Sequence, residues 1–208
     1  MNRVKIKEEA RAMIKGNIWN ILKPYAVIIG ISLVIGLISG STMNNNEPNL
    51  VASIINLIAE IAMIPLSFGA LVYLVKFVRK EPYELKDIFG YYSKFWPIFA
   101  LNFLMGLFIG LWSLLFLIPG IIAAISYTMS MLIMVDGEED AMECLRKSKA
   151  MMKGYKWDFV VFHLSFILWH LLGMVTLGIA YIYVWPYIMV SEVLYYEELK
   201  KVNPPKEK

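Results

Sequence analysis

From Phe95 to Val135 the chain runs 41 residues without one Asp, Glu, Lys or Arg, and from Phe159 to Ser191 it runs another 33. A helix on the surface of a soluble protein must keep one polar face, so runs of this length have no place in a water-soluble bundle. A transmembrane helix needs about 20 residues for a hydrocarbon core of ~30 Å. At about 1.5 Å per residue, single helices over these runs would extend roughly 60 and 50 Å. Each run therefore reads as a pair of crossings. Composition agrees, with 59% apolar and 18% charged residues among 208, against about a quarter charged in a soluble domain.

Six crossings fit, near 22–40, 52–76, 96–118, 120–136, 158–176 and 178–196. The first long run should fold back at Pro119-Gly120, where Pro breaks the helix and Gly allows the turn. The second should turn near Thr176-Leu177-Gly178. The fourth span is short for a full crossing. Ser39 and Ser41 are small enough to resemble a signal cleavage site. The basic segment before the first span is too long for a secretory signal, however, so an uncleaved span is expected.

Charge placement predicts orientation. All 20 Lys and Arg fall in four segments: six up to Lys23, five between Lys76 and Lys94, five between Arg146 and Lys156, and four from Lys200 onward. The alternate loops have none, and the longest of them, 41–50, carries only Glu47. The positive-inside rule then puts both termini in the cytoplasm of a multi-pass cytoplasmic-membrane protein. The single cysteine, Cys144, excludes an intrachain disulfide. It is expected to be a small, half-buried residue in a reduced compartment.

Residues 11–19, RAMIKGNIW, match 149–157, KAMMKGYKW, at five of nine positions, and ELKDIFGYYSKFW (84–96) is a weaker third copy. In that copy Leu85, Ile88, Phe89 and Tyr92 follow α-helical spacing. The fold expected is all-α. It is a polytopic membrane domain of residues 1–200, built as three helical hairpins (about 4–79, 82–136 and 138–200), with a disordered cytoplasmic tail at 201–208. Each hairpin would follow a cytoplasmic interfacial helix, with acids first and bases last to suit the helix macrodipole. Gly16 and Gly154 are helix-stop candidates. Lys15, Trp19, Lys94, Trp96, Lys153 and Trp157 would contact anionic headgroups and the interface.

Four stretches also resemble a known family: LWSLLFLIPGIIAAISYTM (111–129), SKAMMKGYKWDFV (148–160), LSFILWHLLGMVTLGI (164–179) and PYIMVSEVLYYEEL (186–199), with the N-terminal ARAMIKGNIW. The family is one of six-helix bacterial integral membrane proteins, mainly Gram-positive, defined as a domain of unknown function. The resemblance covers nearly the whole chain. Ala123 departs from it, standing where the family carries a Lys after its Pro-Gly turn. The family is similar to membrane regions that precede glycerophosphodiester phosphodiesterase domains. No such catalytic domain is present, so the resemblance implies fold and topology.

Within the spans, Glu60 is the outstanding residue, because a charge in hydrocarbon is costly unless paired, solvated or protonated. His163 and His170 are seven apart and would share a helix face. Depth arithmetic puts Glu60 and His170 within reach of each other. Such a contact would be a proton or cation relay or a single interhelical hydrogen bond. Asn56 and Asn102 are read as interhelical hydrogen bonds, and Glu192 as solvated near the inner interface. Gly30, Gly36, Gly106 and Gly110 are read as close-packing positions. Pro65 and Pro186, with Pro119 and Gly120, are the hinge candidates, and a cavity beside Glu60 is expected. The run Asp136–Asp140 reads as a solvated helix start or, less simply, a divalent-ion site.

No metal-spaced His/Glu set, nucleotide loop or nucleophile–base pair is present. The expectation is a non-enzymatic membrane protein without cofactor or metal. It would bind membrane lipid or a membrane-protein partner, a second copy of itself included, and no nucleic acid, in envelope maintenance, export or self-protection. The alternative is a small transporter or channel using Glu60 and His163/His170.

Overall fold

A computed structural model describes residues 1–41 and 50–205. The 41–50 loop with its Glu47 lies largely outside the described residues. Among these the chain is all-helical: α1 Arg3–Ile14, α2 Ile18–Ser41, α3 Leu50–Arg79, a 3-10 helix Leu85–Lys94, α4 Phe95–Leu115, α5 Leu117–Tyr127, α6 Ser130–Val135, α7 Ala141–Met151, α8 Lys156–Leu164, α9 Ile167–Val175 and α10 Tyr181–Val202. Among the described residues five stretches are long and apolar enough to cross a membrane: Ile18–Gly40, Leu50–Arg79, Leu85–Leu115, Leu117–Val135 and Lys156–Val175. The expected sixth, in α10, is not among them. Its tyrosines and three glutamates dilute the apolar pattern, and Tyr187, Tyr195 and Tyr196 are fully buried in the bundle instead.

The helix boundaries follow local chemistry. Asn2 caps α1 by accepting from the Lys5 N–H at 3.1 Å, and Asp140 caps α7 by accepting from Met142 and Glu143. Gly16 and Gly154 follow these helices at φ +82° and +86°, the left-handed conformation that ends a helix cheaply. The α9–α10 turn forms where expected, with Leu177 and Gly178 at positive φ.

Three expectations about turns and breaks need correction. The α4–α5 fold-back is made by Phe116, which is extended, and not by Pro119-Gly120. Pro119 sits in the first turn of α5, where a missing N–H costs little. Gly120 serves the helix crossing: a Cβ there would lie 2.1 Å from the Ser113 Oγ of α4. The fifth span is interrupted at Ser165-Phe166, between α8 and α9, so His163 and His170 do not share one helix. The span over Leu117–Val135 breaks between α5 and α6, and α7 repairs the break. Ser148 donates to the Ser126 carbonyl at 2.7 Å and accepts from the Met129 N–H at 3.2 Å.

The helices expected to lie on lipid dock on protein. α1 buries Ile6, Ala10 and Ile14 and packs on α10. Its bases reach inward: Arg11 Nε donates to the Tyr187 hydroxyl (3.1 Å), Lys7 Nζ donates to Ser165 Oγ (3.1 Å), and Arg3 lies 3.5 Å from Asp158. α7 buries Cys144, Leu145, Ser148 and Met151 against α4, α5 and α6. The third segment is a 3-10 helix, so its period is three. Ile88 is buried with Leu85 and Tyr91 partly so, while Phe89 and Tyr92 are exposed. It crosses α3 at Gly69, where a Cβ would meet the Ile88 carbonyl oxygen at 2.2 Å. Gly30, Gly36, Gly106 and Gly110, read as packing positions, face open space. Gly69, Gly120 and Gly173 hold the close approaches instead.

The ends of α3, α6 and α10 meet in a charged knot. Arg79 Nη2 donates to Asp136 and Glu197, both at 2.6 Å. Asp136 also accepts from the Tyr196 hydroxyl at 2.7 Å and from Lys200 at 2.6 Å. Partial burial alone would raise the Asp136 pKa, but the bonds from Lys200, Tyr196 and Arg79 outweigh it and hold the carboxyl below its ordinary value. Asp136 is therefore a structural anion and not part of a solvated helix start. The chain stays ordered past the expected start of the tail. Asn203 Nδ2 donates to the last carbonyls of α7, Ala150 (3.3 Å) and Met151 (2.8 Å).

Candidate functional site

Glu60 lies on α3, and the expected cavity is beside it. About 240 Å³ is enclosed by Glu60, Met63, Ile64, Ser67, Phe68 and Leu71 of α3, Asn102 of α4 and Met131 of α6. Glu60 and Ser67 are exposed, so the cavity opens on the outer surface of the bundle. The Glu60 and Ser67 side chains make no hydrogen bond or ion pair to any described residue. Asn102 Nδ2 donates to Ile98 of its own helix at 2.9 Å. It is not the interhelical bond expected, and its Oδ1 is left for the cavity. Asn56, half-buried on α3, makes no side-chain hydrogen bond within the described residues.

α3 passes unbroken through Pro65, which is buried. Pro has no N–H for the Ile61 carbonyl one turn earlier. The next carbonyl, Ala62, accepts the Tyr92 hydroxyl of the 3-10 helix at 2.9 Å, so this segment braces α3 at its proline. α10 likewise continues through a buried Pro186.

The histidines engage α10 and not Glu60. His163 Nε2 lies 2.8 Å from Glu192 Oε1, and His170 Nδ1 lies 3.3 Å from the Tyr181 hydroxyl. The Glu60–His170 contact does not form, and Glu192 is paired where solvation was expected. Among the described residues no cluster of three or more His, Cys, Asp or Glu could hold a metal ion.

A second concavity separates α2 from the start of α10. It encloses about 450 Å³ between Trp19, Leu22, Lys23, Tyr25, Ala26 and Ile29 on one side and Gly178, Tyr181, Ile182 and Trp185 on the other. The wall is almost entirely apolar, with Lys23 its one charge, held at 2.9 Å by Asn20. Tyr25 tilts against Trp185 with ring centres 5.1 Å apart. Its hydroxyl is buried without a hydrogen-bond partner.

Trp19, Trp96 and Trp157 are each 74% exposed, and Lys15 and Lys153 are exposed beside the helix stops. Lys94, expected at a headgroup, instead pairs with Glu139 at 2.6 Å. Sequence reasoning passed over Ser67 and the Tyr181/Trp185 wall. Ser67 is seven residues from Glu60 and so on its face, and Tyr181 and Trp185 are an i,i+4 aromatic pair.

The family model described as Protein of unknown function (DUF975) matches residues 1–131 and 114–203. The chain belongs to the DUF975 family. No curated protein and no solved structure matches it. The DUF975 assignment agrees with the resemblance read from the sequence and carries no activity with it.

Proposed function

We propose that this is a non-enzymatic polytopic protein of the cytoplasmic membrane that binds membrane lipid in the groove between α2 and α10. The carrying observation is the groove itself: an apolar trough with one cation, Lys23, beside an outward-facing Trp19. An acyl chain fits an apolar trough, an anionic phosphate fits Lys23, and Trp belongs at the level where the two join. Lys15, Trp96, Lys153 and Trp157 supply further interface contacts on the same reading. α10 makes the sixth crossing, its tyrosines covered by α1, α8 and α9.

The charge pattern supports cytoplasmic termini, and the Arg79–Asp136–Lys200 knot gathers the C-terminal ends of α3, α6 and α10 at one end of the bundle. Three hairpins that each leave and return to the cytoplasm would do the same. A bound lipid or a membrane-protein partner, a second copy included, would place the protein in envelope maintenance, export or self-protection.

The test is detergent-free extraction in polymer discs followed by mass spectrometry of co-purified lipid. Anionic phospholipid enriched over the bulk membrane is expected, with the enrichment lost in Ala26→Trp, which fills the groove, and in Lys23→Glu. Lipid of bulk composition in the wild-type protein would reject the reading. The transport alternative, which would join Glu60 to the histidines, draws no support from a contact between them: His163 and His170 engage α10, and Glu60 has no hydrogen bond or ion pair to any described residue.

A further inference from the structure

We infer that the Glu60 cavity is a binding site for the protonated amine of an amphiphilic ammonium compound, entered from the side of the bundle. Three residues with side-chain oxygens line it: Glu60, Ser67 and Asn102. Two of these side chains have no partner among the described residues, and the Asn102 amide spends its N–H on its own helix. What remains is one negative charge and a set of acceptors, which suits a group that carries positive charge and N–H donors. The rest of the wall is Met63, Ile64, Phe68, Leu71 and Met131. It takes a carbon skeleton, with polarizable sulfurs and an aromatic ring near the cation.

A bare metal ion fits less well. Calcium takes about six to eight oxygens, and this cavity offers three oxygen-bearing groups among apolar walls. A hydrated ion would need polar partners for its waters that those walls lack. The outward opening at Glu60 and Ser67 lets a ligand partitioned in hydrocarbon enter without crossing the bundle. The α2–α10 groove is separate, so this site stands or falls apart from the lipid reading.

The test uses the full chain in phosphatidylcholine discs, with n-octylammonium as probe and n-octanol as the uncharged control of equal chain length. Saturable binding of one octylammonium per chain is expected, with octanol failing to displace it. Glu60→Gln should weaken binding about tenfold or more, the loss of a charge-assisted contact away from water. Asn102→Leu should weaken it severalfold. Should Glu60→Gln fail to fold, Met131→Trp tests the same site by filling the cavity from α6 and should abolish binding. Equal binding by wild type, Glu60→Gln and Met131→Trp, or full displacement by octanol, would overturn the inference. Discs containing phosphatidylethanolamine separate two sources of the same chemistry. Competition that requires Glu60 identifies a lipid headgroup as the ammonium donor, and its absence identifies a free amine, each with the site upheld.

Discussion

Gly69 and Ser148 show how single atoms hold this bundle together. The 3-10 helix rests its backbone on α3 where α3 has no side chain, and a Cβ at Gly69 would fall 2.2 Å from the Ile88 carbonyl oxygen. Backbone cannot step aside as a flexible side chain does. Gly69→Ala should therefore lower stability by about 1–3 kcal/mol, the usual cost of overpacking. Gly106→Ala, which faces open space, should be neutral or stabilising by up to about 1 kcal/mol through helix propensity. Thermal unfolding of the two variants in one detergent separates the cases. Ser148 satisfies one carbonyl and one N–H at the α5–α6 break. Ser148→Ala should cost about 1–3 kcal/mol, the penalty for buried backbone groups left unpaired, while the isosteric change at exposed Ser93 should not register. Neither role was legible in the sequence. A glycine inside an apolar run looks the same whether a neighbour's backbone crosses it or nothing does, so the pattern alone does not separate Gly69 from Gly30, Gly36, Gly106 and Gly110, which face open space.

At the scale of elements, legibility followed the strength of the local signal. Gly16, Gly154 and the Thr176–Gly178 turn lie where the pattern put them, because a left-handed stop after an amphipathic segment is a local property. The α4–α5 reversal shifted to Phe116, since Pro is comfortable in the first turn of the helix that follows it. The 3-10 segment changed which ring faces inward, because a period of three selects Tyr91 where 3.6 selects Tyr92. The charged knot joins residues 57 to 118 positions apart, which no local pattern shows. It carries a pH dependence whose sign is fixed. The Asp136 carboxyl is held below its ordinary pKa in the folded chain, so its contribution is complete above the unfolded value of about 3.9 and is lost as pH falls through the folded one. The unfolding temperature should drop below about pH 4, and Asp136→Asn should flatten part of that slope. The same variant should cost about 2 kcal/mol at neutral pH, a buried-pair loss reduced for residual exposure.

For the whole molecule, the charge-free runs made the membrane class legible and left the packing of the short helices open. α1 and α7 have the amphipathic look of surface-lying helices, and the same pattern serves equally to dock on protein, as Ile14 and Met151 do. The Glu60 cavity was anticipated from one carboxylate and one proline. Its company was not, because Asn102 and Met131 arrive from other helices. Orientation has a direct check in accessibility. Leu177 is 94% exposed in the α9–α10 turn, and Lys153 is exposed beyond α7. With an impermeant maleimide on intact cells, Leu177→Cys should label and Lys153→Cys should label only after the cells are opened. The reverse pattern would invert the topology. Cys144 makes the experiment simple. It is fully buried, its Sγ donates to the Glu138 carbonyl at 3.4 Å, and burial pushes its thiol up to about 12, far from the thiolate that reacts. The chain thus carries its own silent background, and a reporter thiol can be placed along it residue by residue without first removing the native one.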